Sequence, residues 1–193
     1  MSFCSDAFAT KLPDEVKRYI KIYYPKYEIL KGSYAVGDLD GDEVPDVAVM
    51  LNYYSESDYH VRLLVLKGMK DHTFETLAIS KPLNPPQHGT DLEIQKRSLF
   101  VHIFLSGDGS IYSFYKFQFQ YRNSNLMLIG SEISGEAQVD ITQDLSYMDE
   151  YESINYLTGD RITTYKRKGK IKKIVKDKIH SKPLVKLEDW SSY

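Results

Sequence analysis

The strongest constraint on the fold is a nine-residue segment, 38–46, that carries four aspartates between two apolar stretches. The carboxylates stand at loop positions one, three, five and nine, as Asp38, Asp40, Asp42 and Asp46. Like charges this close in the chain repel one another unless a cation lies among them. A hard divalent ion held by about six to eight oxygens supplies that charge, and Ca²⁺ loops use this spacing. The segment therefore predicts a Ca²⁺ site, with a metal-free acidic turn as the alternative.

The residues on either side of this loop predict strands rather than helices. Ser33–Val36 precedes the loop and Val47–Leu51 follows it, and both stretches are β-prone and apolar. Pro45 favours an extended Val44, whose carbonyl is then free to bind the ion at position seven. The metal site is therefore predicted to be strand, loop and strand, unlike an EF-hand, in which a helix lies on each side.

At this point the chain resembles the Ca²⁺ loops of the FG-GAP/VCBS type, which carry the run D-x-D-G-D-x-x-x-D between strands. The resemblance covers residues 33–51 and implies that the four aspartate carboxylates and the Val44 carbonyl are the ligands. Two positions depart from the usual Ca²⁺ loop. Glu43 replaces the glycine of position six, where a left-handed conformation costs about 1–2 kcal/mol. Val49 replaces the bidentate glutamate of position twelve, so we expect a dissociation constant of roughly 10⁻⁴–10⁻³ M.

A wider resemblance follows the order of motifs along the chain. Gly37–Asp46, Phe119–Arg122 and Asn155–Gly159 are similar to segments of small exported Gram-negative bacterial proteins, which read GDLNGDG, YRYQ and NYLTG in that order. The resemblance implies an envelope location, and a millimolar Ca²⁺ site would be idle in the cytosol. Residues 1–5 lack the basic and apolar regions of a signal peptide, as the start of an exported protein does once its signal peptide has been removed. We therefore expect a periplasmic or otherwise exported protein in its mature form, and less readily a cytoplasmic one.

The remaining sequence predicts a mainly β, α+β chain with one helix near its start. Pro13 fits a first helical turn, Val16 and Ile20 fall on one face, and Pro25 ends the helix. Strand patterns dominate from residue 27 onward: Tyr59–Lys67, Phe74–Ser80, Ser98–Leu105, Tyr112–Tyr121 and Leu126–Ile129. We predict one domain over 1–193, an antiparallel meander or sandwich on which the helix packs. Its parts are a helix over 11–24, a β core over 27–160, a basic hairpin over 161–180 and a tail over 181–193.

Charge is distributed unevenly between the two parts of the chain. Residues 161–193 carry 11 Lys or Arg against 3 Asp or Glu, a net charge of +8, and the total of −2 leaves −10 on residues 1–160. No Lys or Arg lies between Arg122 and Arg161, and seven acids there form an acidic stretch: Glu132, Glu136, Asp140, Asp144, Asp149, Glu150 and Glu152. We predict that Asp144, Asp149, Glu150 and Glu152 bind a protein partner with a cationic contact surface.

The basic residues after 160 allow several interpretations. They can pair with the protein's own acidic half, or stand as solvated lysines that guard a sheet edge against pairing. They can also bind a partner or an anionic surface. No nucleic-acid motif accompanies them, and aromatic residues are sparse there, so we expect no nucleic-acid partner. No apolar run reaches the roughly 18 residues of a transmembrane helix.

No catalytic motif is recognisable in the sequence. The five histidines (His60, His72, His88, His102 and His180) show no H-E-x-x-H or other close metal spacing. Neither a G-x-S-x-G elbow nor a nucleotide-binding glycine pattern occurs. Cys4 is the one cysteine, so no intrachain disulfide can form; we interpret it as a free thiol, with a lipidated cysteine as the alternative.

Three classes of function remain. The first is a non-catalytic binding protein of the bacterial envelope whose fold Ca²⁺ stabilises, such as an inhibitor or immunity protein for an exported toxin or hydrolase. The second is a Ca²⁺-stabilised structural or adhesion module. The third is a hydrolase whose catalytic residues come together only in the folded chain. A toxin gene beside this one would separate the first class from the second.

Overall fold

The computed structural model describes residues 11–86, 89–106, 112–141, 144–180 and 182–191; at 106, 112, 136–141 and 144–148 it describes only the backbone. Strands dominate these residues, as predicted. The first sheet and its helix comprise α1 (Asp14–Tyr23), β1 (Glu28–Gly37), β2 (Asp46–Tyr54), β3 (Tyr59–Gly68) and β4 (Phe74–Ile79). The second sheet comprises β5 (Thr90–Gln95), β6 (Ser98–Ser106), β7 (Tyr112–Arg122), β8 (Asn125–Ile141), β9 (Asp144–Asn155), β10 (Asp160–Arg167) and β11 (Lys170–Lys178). A 3₁₀ turn, Leu187–Asp189, follows.

Both sheets are antiparallel meanders, because within each sheet every strand pairs with its neighbour in the chain. The first runs β1-β2-β3-β4 and the second runs β11-β10-β9-β8-β7-β6-β5. The sheets pack face to face over a core of fully buried side chains, among them Met50, Leu63, Val65, Leu99, Val101 and Phe119. The predicted fold class, an antiparallel β-sandwich with one helix packed on it, is confirmed.

The helix covers the face of the first sheet that points away from the second sheet. Val16 and Ile20 repeat at helical spacing and are buried with Leu12 against β2 and β3. Asp14 and Glu15 lie in the first turn, where the helix dipole favours acids. The first sheet is therefore the middle of three layers. This position explains why β2 is an unbroken apolar run instead of an alternating one.

The segment predicted as a tail over 181–193 inserts two of its residues, Leu187 and Trp190, into the core, which a tail would not do. Leu187 is 1% exposed and Trp190 is 4% exposed. The Trp190 ring packs edge-on against Phe117 and Phe119, with centroids 5.0 and 5.2 Å apart. The Leu128 amide donates to the Val185 carbonyl at 2.8 Å, which ties the segment to β8. A lone tryptophan in a polar, basic stretch gives no periodic signal, and only the assembled sandwich provides its pocket.

The described backbone of the acidic stretch, Glu132–Glu152, lies in strands β8 and β9. The basic residues form the predicted hairpin, β10 and β11, which turns at Lys168 and Gly169. β11 is exposed along almost its whole length and carries five lysines, a pattern that discourages edge-to-edge pairing. The second sheet therefore ends in a charged region, with β9 acidic and β11 basic.

Candidate metal centre

The acidic loop connects β1 to β2 at the point where their pairing ends. Gly37 is the Cα partner of Asp46, so the loop leaves and re-enters the sheet at adjacent positions. Glu43 has a φ of 66°, which is the left-handed conformation predicted for loop position six. Gly41 also has a positive φ, of 85°. The local backbone is therefore a tight turn with left-handed residues, and Glu43 adopts it without the freedom of glycine.

Asp38, Asp40 and Asp42 form a carboxylate triad in this loop. One oxygen of each lies within 4.8 Å of the other two. An all-oxygen set with this charge suits a hard cation such as Ca²⁺ better than a transition metal, which prefers nitrogen or sulfur ligands. The triad could therefore hold a metal ion, and it is the part of the predicted ligand set that the structure brings together.

Backbone amides of the loop hold the three carboxylates in place. Asp38 accepts from the Gly41 amide at 2.6 Å and from the Glu43 amide at 3.3 Å. Asp40 Oδ1 accepts from the Asp42 amide at 3.1 Å, and Asp42 Oδ1 accepts from the Val44 amide at 2.9 Å. These bonds use one side of each Asp40 and Asp42 carboxylate and leave the Oδ2 atoms facing each other. The loop is thus preorganised to place a cation between Asp40 and Asp42.

The cation that lies between those Oδ2 atoms is the ammonium of Lys67, which sequence reasoning missed. Lys67 Nζ donates to Asp42 Oδ2 at 2.9 Å and makes a second ion pair with Asp40 Oδ2. Hydrogen bonds to Asp40 and Asp42 raise the pKa of Lys67 above its ordinary range, so it stays charged. The same contact, with the Val44 amide, lowers the pKa of Asp42. A metal ion at this position must therefore displace Lys67.

A second cation, Arg97, reaches the loop from the other sheet. It belongs to the tight turn between β5 and β6, where Lys96 and Arg97 both have positive φ. Its guanidinium donates to the Asp40 carbonyl. It also packs against Gly41, where any side chain would overlap it. The loop is therefore part of the interface between the sheets, and an ordered loop helps to stabilise the packing of one sheet on the other.

Asp46 lies outside the triad and has a different set of contacts. Its side chain accepts from the Leu39 amide at 2.9 Å and from the Gly68 amide at 3.0 Å, and the residue is fully buried. Burial raises the pKa of Asp46, and the charges of Asp40 and Asp42 add to that effect, while the two amide bonds oppose it. Asp46 fastens the two ends of the loop to β3. Its predicted role as a metal ligand stays a prediction, as does that of the Val44 carbonyl.

The acids predicted to bind a partner lie beside the basic hairpin of the same chain. Asp149, Glu150 and Glu152 are on β9, and Asp144 begins that strand in the part described only by its backbone. Glu150 is the Cα partner of Tyr165, and Asp149 is the Cα partner of Lys166. Glu152 lies 3.9 Å from Arg161. The hairpin thus provides part of the counter-charge for these acids.

A polar cluster at the open end of the first sheet joins a carboxylate, an imidazole and a hydroxyl. His60 Nδ1 lies 3.0 Å from Asp58 Oδ2, and His60 Nε2 lies 3.3 Å from the Tyr27 hydroxyl. The His60 ring also stacks on Tyr53 at 4.9 Å between centroids. An imidazole that contacts a carboxylate on one side and a hydroxyl on the other has the arrangement of a general base. The hydrolase alternative would depend on this cluster, which the sequence could not indicate because Tyr27 and His60 meet only through sheet pairing.

No protein-family model, no curated protein and no solved structure matches the chain. Among the described residues, no helix has the length and apolar character needed to cross a membrane. The case for function therefore rests on the residues themselves.

Proposed function

We propose that this chain is a non-catalytic binding protein of the bacterial envelope whose fold is stabilised by Ca²⁺ at the Asp38, Asp40 and Asp42 loop. The observation that supports it best is the triad of carboxylates within 4.8 Å of one another on a loop between two core strands. The ion would be structural: bound there, it would neutralise the triad and hold the turn that connects β1 to β2. No reaction step is assigned to it.

The contacts of the loop also support weak binding. An entering Ca²⁺ must displace the Lys67 ammonium from Asp40 and Asp42, and it gains no position-twelve glutamate because Val49 lies there. Both features reduce affinity, toward the roughly 10⁻⁴–10⁻³ M class typical of extracellular modules. A site of that affinity is useful where free Ca²⁺ is millimolar, and this favours an exported protein.

Calcium should raise the melting temperature of the wild-type protein. An ion that binds only the native state adds RT ln(1 + [L]/Kd) to the unfolding free energy, which is about 1.4 kcal/mol when free Ca²⁺ is tenfold above Kd. Melting curves in millimolar Ca²⁺ and in chelator measure the shift. Asp40→Ala should abolish it, whereas Asp71→Ala, which removes an exposed aspartate of another turn, should retain it. An unchanged melting temperature for the wild type would contradict the metal proposal.

The proposed partner is a protein with a cationic contact surface, of which an exported toxin or hydrolase is the most concrete case. β9 supports this proposal through Asp149, an exposed acid of that strand. Asp149 makes no side-chain ion pair among the residues whose side chains are described, although its backbone pairs with Lys166. A structural or adhesion module remains the second proposal for the same chain.

Reversing the charge of Asp149 and Glu150 should slow association with the partner steeply at low salt. Charges at the rim of an interface act mainly on the association rate and its salt dependence. The wild-type protein is first used to capture the partner from a lysate of the source bacterium. The association rates of the wild type and of Asp149→Lys/Glu150→Lys with that partner are then measured at two ionic strengths. Lys172→Glu/Lys173→Glu on β11 is the matched control and should change little. Recovery of nucleic acid that depends on Lys172 and Lys173 instead would overturn the proposal.

A further inference from the structure

A groove lies at the end of the second sheet, far in sequence from the metal loop and sharing no residue with it. Its volume is about 750 Å³, within the size range of small-molecule sites. We name it the terminal groove. It is lined by Leu128 of β8, the turn between β9 and β10, and the chain that follows β11.

Backbone and side-chain hydrogen bonds hold the walls of the terminal groove. Asn155 Oδ1 accepts from the Leu157 and Thr158 amides at 2.9 and 3.2 Å, which fixes the turn between β9 and β10. The Ile179 amide donates to the Gly159 carbonyl at 2.8 Å. The chain beyond β11 then crosses back to β8, where Val185 pairs with Leu128. The groove is therefore bounded by chain segments whose positions are fixed relative to one another.

The floor of the terminal groove is apolar. Leu128 is buried, and Ile179 and Leu184 are half-buried beside it. Leu157 and Val185 remain 44% and 41% exposed at the opening. Apolar side chains that converge on a concave surface and stay exposed to water mark a site where an apolar group can gain by burial.

The charged side chains of this lining are all basic. Arg161 is bound to Asp177, and Lys178 lies 3.1 Å from Asp160, so both have acidic partners outside the lining. Lys182 and His180 make no ion pair or hydrogen bond with any other residue in the part of the chain that the structure describes. The groove therefore combines an apolar floor with one unpaired ammonium and one unpaired imidazole at its edge.

We propose that the terminal groove binds a small amphipathic carboxylate, with an aliphatic chain against Leu128, Ile179 and Leu184 and its acid group at Lys182 and His180. A carboxylate matches these two groups because each can donate a hydrogen bond to it, and a cationic donor strengthens that bond. The aliphatic chain matches the exposed Leu157 and Val185. A neutral or cationic amphiphile would gain the apolar contacts but leave the ammonium without a counter-charge.

Titration calorimetry with dodecanoate, below the concentration at which it forms micelles, tests this proposal. Wild-type protein should bind it saturably at one site. Dodecanol, which has the same chain and no charge, should bind about fivefold more weakly or worse. Lys182→Glu/His180→Gln should weaken dodecanoate binding by a similar factor and leave dodecanol binding unchanged. Lys172→Glu/Lys173→Glu, on β11 outside the groove, should bind dodecanoate as the wild type does.

A change at the floor gives an independent check. Leu184→Glu places a carboxylate against the proposed chain and should abolish binding of both amphiphiles, and circular dichroism shows whether this variant is folded. If it does not fold, the edge variant and its control still decide the question. Absence of saturable dodecanoate binding to the wild type would overturn the proposal. Equal binding of dodecanoate and dodecanol, or loss of binding on reversal of Lys172 and Lys173, would do the same.

Discussion

Trp190→Ala is expected to lower the free energy of unfolding by about 3–5 kcal/mol, the usual cost of removing a large buried aromatic ring. The side chain is 4% exposed and contacts Phe117 and Phe119 between the two sheets. Its loss would leave a cavity that closes only if the well-packed residues around it move inward. Urea unfolding followed by circular dichroism measures the change.

Tyr54→Ala is the matched control for this variant. Tyr54 is also an aromatic residue, but it is 77% exposed at the end of β2. Its truncation should cost no more than roughly 0.5 kcal/mol, as for most surface substitutions. If Trp190→Ala unfolds at the same urea concentration as Tyr54→Ala, the segment 182–191 does not complete the core, and the sequence-based prediction of a tail is reinstated.

Asp46→Ala is expected to lower the free energy of unfolding by about 2–6 kcal/mol, even in the presence of chelator. The substitution leaves the Leu39 and Gly68 amides buried without an acceptor, at about 1–3 kcal/mol each. Removing the buried charge recovers part of this cost, because burial raises the pKa of Asp46 and so penalises its ionised form at neutral pH. We therefore expect the net loss at the lower end of this range. Because chelator removes any bound metal ion, the lower free energy of unfolding then comes from these two hydrogen bonds and not from loss of a metal.

Asp71→Ala provides the comparison for that measurement. Asp71 also accepts two hydrogen bonds, both from Thr73, but in an exposed turn where water can replace it. We expect its loss to cost roughly 1 kcal/mol or less. Equal destabilisation by the two substitutions would mean that the buried amides find other acceptors, and that Asp46 does not fasten the loop to β3.

The sequence was sufficient to predict the local structure of the acidic loop between β1 and β2. Alternating aspartates between β-prone stretches predicted strand, loop and strand. The left-handed conformation of Glu43 followed from its place at position six of the loop. These features depend on residues within about ten positions of one another. Spacing and backbone sterics decide such short-range features before any tertiary contact forms.

The cations around the loop could not be predicted in the same way. Lys67 lies 27 positions from Asp40 and Arg97 lies 57 positions from it, and each reaches the loop only through strand register and sheet packing. Lys67 does leave one signal, since it is the charged residue that ends the apolar run of β3. β9 was missed for another reason: its acids stand on both faces of the strand and hide the alternation that predicts a half-buried strand.

Calorimetric titration of Ca²⁺ into the wild type, Asp40→Ala and Lys67→Gln tests the central claim most directly. The wild type should bind one ion with a dissociation constant of roughly 10⁻⁴–10⁻³ M, and Asp40→Ala should bind none. Lys67→Gln should bind several-fold more tightly, because the ion no longer competes with an ammonium between Asp40 and Asp42. If none of the three binds Ca²⁺, and Lys67→Gln is destabilised with or without the ion, the loop is a metal-free turn neutralised by Lys67, and the claim is wrong.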